Sequence, residues 1–234
     1  MKIALIGYGA MGKLIRRLAE EKGHEVVVVI DDSFADSTAE SLAAKIRGAE
    51  VAIDFTVAEA VKRNVSACVA AGVPLVEGTT GWMSQKAEIE KIVWDGNGAF
   101  VFGANFSIGV NLFYKIAAYA AELFAKFPDY ETFLEEQHHS RKLDAPSGTA
   151  LKIKDIVAEH IKKDFTVTAT RAGNIPGTHR LGFDGPADQI LLEHTARSRE
   201  GFAYGAIAAA EWIVGKKGFY EFPDIIHEIV SEEN

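Results

Sequence analysis

Residues Ile3-Ala4-Leu5-Ile6-Gly7-Tyr8-Gly9-Ala10-Met11-Gly12 decide the fold of this 234-residue chain. The four apolar residues predict a short buried strand. Residues 11–21, with Leu14, Ile15 and Leu18 at helical spacing, predict an amphipathic helix. Between them stands G-x-G-x-x-G. In this setting the first glycine permits a tight turn, the second admits a pyrophosphate against the backbone, and the third lets helix and strand pack closely. The phosphates of a dinucleotide then rest on the free amides and positive dipole of the helix N-terminus. Asp31 follows Gly12 by 19 residues, at the end of the next predicted strand, where an acid bonds a ribose hydroxyl.

The same rhythm continues outward. Residues 26–30 are an unbroken β-branched run, as expected of a strand buried on both faces. Helix is predicted over 43–47, 58–71 and 84–93, and extended chain over 51–54, 73–77 and 99–102. This alternation predicts an α/β fold, a Rossmann-type doubly wound parallel sheet. After Asn105 the pattern changes. Helices over 110–125, 150–161 and 203–214 and strands over 129–138, 165–171 and 189–196 predict a second, α+β domain with an open mixed sheet. A Gly/Pro-rich stretch, 173–186, is read as the connection between the last two strands, and the acidic tail, 228–234, is expected to fray.

Composition narrows the class of protein. With 48% hydrophobic and 25% charged residues, the chain can bury a proper core and disorder is excluded. A net charge of -8 argues against nucleic acid, which calls for a broad basic surface. No apolar run approaches the roughly 20 residues that span a bilayer, so no membrane partner is expected. The single Cys68 has no intrachain partner, which fits a reducing compartment, and the cytoplasm is the expected location.

The second strand ends on Asp31-Asp32, and no Arg or Lys follows until Lys45. Two carboxylates repel a 2′-phosphate, so NADH is favoured over NADPH. Lys13 or Arg16 could reach round, which leaves NADPH open. Gly78-Thr79-Thr80-Gly81 and Gly103-Ala104-Asn105-Phe106 follow the fourth and fifth predicted strands. Ligands of doubly wound sheets bind beyond the carboxyl ends of strands, so both turns are placed to line the nicotinamide half of a cleft.

The run His138-His139-Ser140-Arg141-Lys142-Leu143-Asp144-Ala145-Pro146-Ser147-Gly148-Thr149 gathers four potentially cationic side chains within five residues of an acidic chain. Histidine titrates near neutrality and suits proton transfer, and lysine is a point charge that steadies an anion or donates a proton. Ser147, Gly148 and Thr149 offer amides and two hydroxyls at a predicted helix start, good equipment for a carboxylate. The plain alternative is a solvated basic turn with Ser147 as a cap.

Together with Glu136-Gln137 before it, this run resembles the signature of the 4-hydroxy-tetrahydrodipicolinate reductase family, also called dihydrodipicolinate reductase. Ile53-Asp54-Phe55-Thr56, Gly78-Thr79-Thr80-Gly81 and Ala104-Asn105-Phe106-Ser107-Ile108-Gly109-Val110-Asn111 are similar to its other hallmark segments, and the likeness extends to Phe202-Ala203-Tyr204-Gly205-Ala206. The resemblance implies that His138 is the general acid/base and Lys142 the second catalytic group. His139 would contact substrate, and Gly148 with Thr149 would hold a substrate carboxylate. Gly7, Gly9, Ala10, Met11, Gly12, Asp31, Gly78, Thr79, Thr80, Gly103, Ala104, Asn105 and Phe106 would contact NADH or NADPH, and no metal is implied. The implied substrate is a small cyclic dicarboxylate. It loses its hydroxyl as water and receives hydride to give tetrahydrodipicolinate, on the diaminopimelate route to lysine. Two departures bear on the cofactor: many members carry a phosphate loop one residue longer with an arginine, and a basic residue where this chain has Asp32.

The expected division is 1–105 for the dinucleotide-binding domain, with 215–234 returning to it by resemblance, and 106–214 for substrate binding and oligomerisation. The family assembles as tetramers through the second sheet, which implies a homotetramer. Two other readings stay open. Another small NAD(P)-dependent dehydrogenase, for instance one acting on aspartate, would turn over an amino acid without needing both His138 and Lys142. A non-catalytic dinucleotide sensor would bind NADH tightly and transfer no hydride.

Overall fold

The computed structural model describes residues 1–232, arranged as two compact units, Met1–Ile108 with Glu200 onward, and Gly109–Arg199. In the first unit the glycine-rich segment joins β1 (Lys2–Ile6) to α1 (Ala10–Glu21). There follow β2 (Glu25–Ile30), α2 (Ala39–Ile46), β3 (Val51–Asp54), α3 (Ala58–Ala71), β4 (Leu75–Glu77), α4 (Lys86–Asp95) and β5 (Ala99–Phe102). All pairings are parallel and the order is β10-β5-β4-β3-β1-β2, where β10 (Gly218–Glu221) is supplied from the end of the chain.

Alternation along the strands sorts their side chains into two cores. Ile3, Leu5, Val51, Ile53, Val76 and Val101 pack with α1, α7 (Glu200–Ile213) and α8 (Phe222–Glu232), whereas Ala4, Ile6, Ala52, Leu75, Phe100 and Phe102 pack with α2, α3 and α4. Every residue of β3, β4 and β5 is buried, as a doubly covered parallel sheet requires.

Residues 26–30, expected to be buried on both faces, lie in the edge strand β2 with Val27 exposed, and three further expectations need correction. The helix expected over 203–214 belongs to the first unit, so the second unit ends at Arg199. Its alanines let it approach closely, and a Cβ on Gly205 would lie 1.7 Å from the Phe106 carbonyl oxygen. Residues 228–232 of the tail expected to fray continue α8, which runs to Glu232; the end of that expectation, 233–234, lies outside the described residues.

The third correction concerns the second unit, which comprises α5 (Ile108–Phe124), β6 (Glu131–His138), α6 (Gly148–His160), β7 (Thr166–Arg171), β8 (Thr178–Asp184) and β9 (Gln189–Thr195). Residues 178–184, read from sequence as a connection, are an interior strand in the order β7-β6-β8-β9. Gly182 faces Phe133 across the β6–β8 pair, and a Cβ there would lie 2.1 Å from the Phe133 ring. The glycine makes room for an aromatic side chain and marks no turn. β6 and β7 are parallel while β8 is antiparallel to both its neighbours, giving the mixed sheet. Phe113, Leu134, Ile153, Leu181 and Phe183 form the core on its helical side, while Ile190 and Leu191 of β9 stay exposed.

Candidate functional site

The first unit holds a cavity of about 510 Å³ beyond the carboxyl ends of β1 and β2, and Gly7, Gly9, Asp31, Asp32, Thr56 and Arg63 are among its walls. Three glycines have three separate reasons there. Gly7 sits at φ +90° with its missing Cβ 2.3 Å from the Phe55 carbonyl oxygen, so only glycine makes this turn. A Cβ on Gly12 would lie 2.2 Å from the Gly7 carbonyl oxygen, which is the close helix–strand approach. Gly9, by contrast, has nothing within 4 Å of its Cβ position, and no side chain caps α1. An open glycine before an uncapped helix start fits a pyrophosphate. Ala10 is exposed, and Met11 packs on the core.

Asp31 caps the short helical turn after β2, accepting from the Ser33 hydroxyl at 2.6 Å and the Ser33 amide at 3.0 Å. Those two bonds hold its carboxyl below the ordinary range and keep it an anion. Asp31, Asp32, Asp36 and Glu59 line this cavity beside one guanidinium, Arg63, which the sequence reading did not single out. Arg63 is already engaged: it donates to the Phe34 and Ala35 carbonyls and to Asn64 Oδ1.

The turns after β4 and β5 share the carboxyl edge of the sheet but are not among the walls of this cavity. Thr79 is tied on several sides, its amide to Glu77 Oε1 at 2.7 Å, its hydroxyl to the Thr56 amide at 2.9 Å and its carbonyl to Trp82 Nε1 at 2.9 Å. Gly78 stacks under the Phe55 ring, and Thr80 is exposed. Gly103 lies against Phe222 and Phe106; Ala104 is exposed, and Asn105 accepts from the Ser107 amide at 2.8 Å. Phe106 is a core side chain, packed on Phe222 with ring centroids 4.7 Å apart.

In the second unit His138 ends β6 and Lys142 stands in the turn beyond it. His138 Nδ1 is bonded to Glu136 Oε2. Two residues apart on a strand, these side chains share a face. Glu136 is fully buried, and its Oε1 accepts from the Ser147 amide at 3.1 Å and from Arg171 Nη2 at 2.5 Å. His179 of β8 meets the His138 ring edge-on, centroids 5.3 Å apart, and contacts Ser147 Oγ at 3.1 Å. The Cβ position of Gly177 is 3.1 Å from His138 Nε2, so a side chain at 177 would crowd the free ring nitrogen.

Electrostatics separate the roles of these groups. Burial raises the Glu136 carboxyl, but bonds from Arg171 and His138 outweigh it and hold it below its ordinary range. Burial lowers His138 despite Glu136, with Lys142 and Arg171 adding to the effect, so its imidazolium is a stronger acid than a free one. His179, lowered to about 4 chiefly by burial and then by the charge of His138, is neutral. Atoms of Glu136, His138 and His179 lie within 4.8 Å of one another, a spacing that would suit a metal ion. The Arg171 guanidinium on the same carboxylate disfavours a second cation, and the cluster fits a hydrogen-bonded histidine.

The remaining predicted residues divide. Lys142 Nζ pairs with Asp144 Oδ1 at 2.7 Å, and Lys142 is the first cause that holds the Asp144 carboxylate below its ordinary range. Lys142, a point charge suited to an anion, therefore already faces a carboxylate. Ser147 caps α6 through the Ala150 amide at 3.2 Å, Gly148 has open space at its Cβ position, and Thr149 is half-buried in the first turn of α6. His139 is half-buried, with Nδ1 lacking a hydrogen-bond partner. Arg141 is exposed and bonds Asn174 at 3.0 Å. Glu136, Arg171 and His179 are the residues that sequence reasoning missed, although the i, i+2 spacing of Glu136 and His138 was a readable signal.

Two family descriptions match the chain in order, dihydrodipicolinate reductase N-terminus over residues 1–106 and dihydrodipicolinate reductase C-terminus over 109–226. The 4-hydroxy-tetrahydrodipicolinate reductase of Christiangramia forsetii is 34% identical over 241 residues, covering 98% of this chain and 99% of the relative. That of Staphylococcus aureus strain Newman is 37% identical over 251 residues, covering 96% and 100%. Among solved structures, a dipicolinate-bound dihydrodipicolinate reductase from Paenisporosarcina sp. TG-14 superimposes with a TM-score of 0.79 at 25% identity, covering 96% of this chain and 99% of the other.

Proposed function

The chain belongs to the dihydrodipicolinate reductase family, and from that premise we infer that it performs the reaction for which its relatives are named. It is an NAD(P)H-dependent oxidoreductase that reduces 4-hydroxy-tetrahydrodipicolinate to tetrahydrodipicolinate in diaminopimelate and lysine biosynthesis. The observation that carries this is the match of both family halves in order, one over the dinucleotide fold and the other over the unit bearing His138 to Thr149.

A nicotinamide dinucleotide, when bound, supplies the hydride. Gly7, Gly9 and Gly12, with the amides of Ala10 and Met11, seat its pyrophosphate, and Asp31 bonds a ribose hydroxyl. Gly78, Thr79, Thr80 and residues 103–106, on the same carboxyl edge of the sheet but outside that cavity, would contact the nicotinamide end. In the second unit Gly148 and Thr149 receive a substrate carboxylate, Lys142 is the second catalytic group, and His139 touches the substrate. Glu136 fixes the proton on His138 Nδ1, which leaves Nε2 to hand a proton to the reduced substrate. The dipicolinate in the TG-14 relative supports a cyclic dicarboxylate here.

NADH is the preferred cofactor in this reading, because four carboxylates line the cavity beside a guanidinium already bonded to carbonyls. Asp31→Ala is expected to weaken NADH more than NADPH in equilibrium titration; equal losses would remove Asp31 from the ribose. A homotetramer formed through the exposed face of the second sheet, which carries Leu191, should show about four times the 25.4 kDa chain mass by light scattering, and a monomer mass would contradict it. The cytoplasm, which supplies reduced dinucleotide, is its compartment, and Cys68 is a buried free thiol. Among the described residues no helix is long and apolar enough to cross a membrane.

A further inference from the structure

Asp54 and Glu77 are acids where a parallel sheet ordinarily carries apolar side chains. They lie side by side, last on β3 and β4, in the row Ile6, Asp54, Glu77, Phe102. Both are fully buried. Asp54 Oδ2 accepts from Asn64 at 2.6 Å and Glu77 Oε1 from the Thr79 amide at 2.7 Å. The two remaining oxygens, Asp54 Oδ1 and Glu77 Oε2, are also buried and have no donor. Asp54 and Glu77 are register partners across the β3–β4 pair, so the two carboxyls leave adjacent strands on the same face. Ile6 and Phe102 flank them in the sheet, and α3 covers them with Asn64 and Cys68, a thiol itself raised by burial and by these two acids. Arg63 reaches Asn64 Oδ1 rather than either acid, and neither acid has an ion pair among the described residues.

We propose that Asp54 and Glu77 share one proton, and that Glu77 thereby acts as a positioning residue for the cofactor turns. Two neighbouring carboxylates cannot both ionise in an apolar interior without a cation. With one proton between them, the orphaned oxygens become donor and acceptor. The consequence reaches the turns through Thr79, whose amide is held by Glu77 and whose hydroxyl holds the Thr56 amide. The positioning part rests on the assignment of Thr79 to the cofactor site; the shared proton does not.

Burial raises Glu77 well above its ordinary range, and the charge of Asp54 adds to this. The sign follows: a raised folded-state pKa stabilises the fold below the unfolded value of about 4.3, and that contribution is lost as pH rises toward the folded value. Wild-type Tm should therefore fall as pH rises from about 5 to 9, while Glu77→Gln, which never ionises, flattens the profile. Infrared difference spectra at pH 8 should show a protonated carboxyl in the wild type that Glu77→Gln removes. Glu77→Leu should raise the KM for NADH about tenfold, the worth of one lost hydrogen bond, with kcat less affected and with Glu77→Gln restoring KM. Parallel Tm profiles, or no protonated carboxyl at pH 8, overturn the shared proton. An unchanged KM in Glu77→Leu overturns the positioning role while the infrared band stands. Should Glu77→Leu fail to fold, a Glu77→Gln KM raised as much as tenfold overturns it instead.

Discussion

Replacing His138 by Gln should lower kcat by roughly 10²–10⁴-fold, the usual worth of a general acid, with NADH affinity little changed. Glutamine keeps much of the volume and can still hydrogen-bond, so packing around Glu136 and His179 should survive. What it lacks is a titrating nitrogen at the position of Nε2. Single-turnover kinetics with saturating NADH measure this loss free of product release, and near-wild-type turnover would remove His138 from the chemistry.

Replacing Glu136 by Gln should lower kcat on the order of 10²-fold through His138 rather than by direct contact with substrate. The carboxylate receives Arg171 and the Ser147 amide on one oxygen and His138 on the other, and an amide places a donor against one of them. Glu136 raises His138, so its loss lowers the imidazolium further. A rate that needs protonated His138 then falls off at lower pH in the variant than in the wild type. Stability should respond as well, because removing one partner of a buried ion pair leaves the other charge uncompensated. Since the Glu136 carboxyl is held below its ordinary range, its contribution is present above that range and is lost as pH falls through the folded value. The Tm gap between wild type and variant should close toward acid. A kcat loss with an unshifted pH profile would show that Glu136 merely supports the fold.

Much of the fold is legible in the sequence. The strand, G-x-G-x-x-G and helix announced the first sheet because the motif, its flanking periodicities and Asp31 are all local. What escaped depends on contacts distant in sequence. Residues 178–184 read as a connection because Gly182 looks like a breaker, and only its register opposite Phe133 explains it. A helix is legible over 203–214, observed as α7, but an alanine-rich stretch does not say which sheet it covers. His138 and Lys142 stood out by residue type. Arg171 and His179 could not, since they reach the site through β7 and β8, where Arg171 pairs with His138 and His179 with Glu136. The Asp54–Glu77 pair is likewise invisible until β3 and β4 lie in register.

The most direct test of the central claim is a coupled assay in which a synthase generates 4-hydroxy-tetrahydrodipicolinate and the purified chain oxidises NADH or NADPH. Rapid, substrate-dependent oxidation, with the higher kcat/KM for NADH, is the predicted result. No oxidation of either cofactor above the synthase-only control, under conditions where the protein binds NADH, would contradict it.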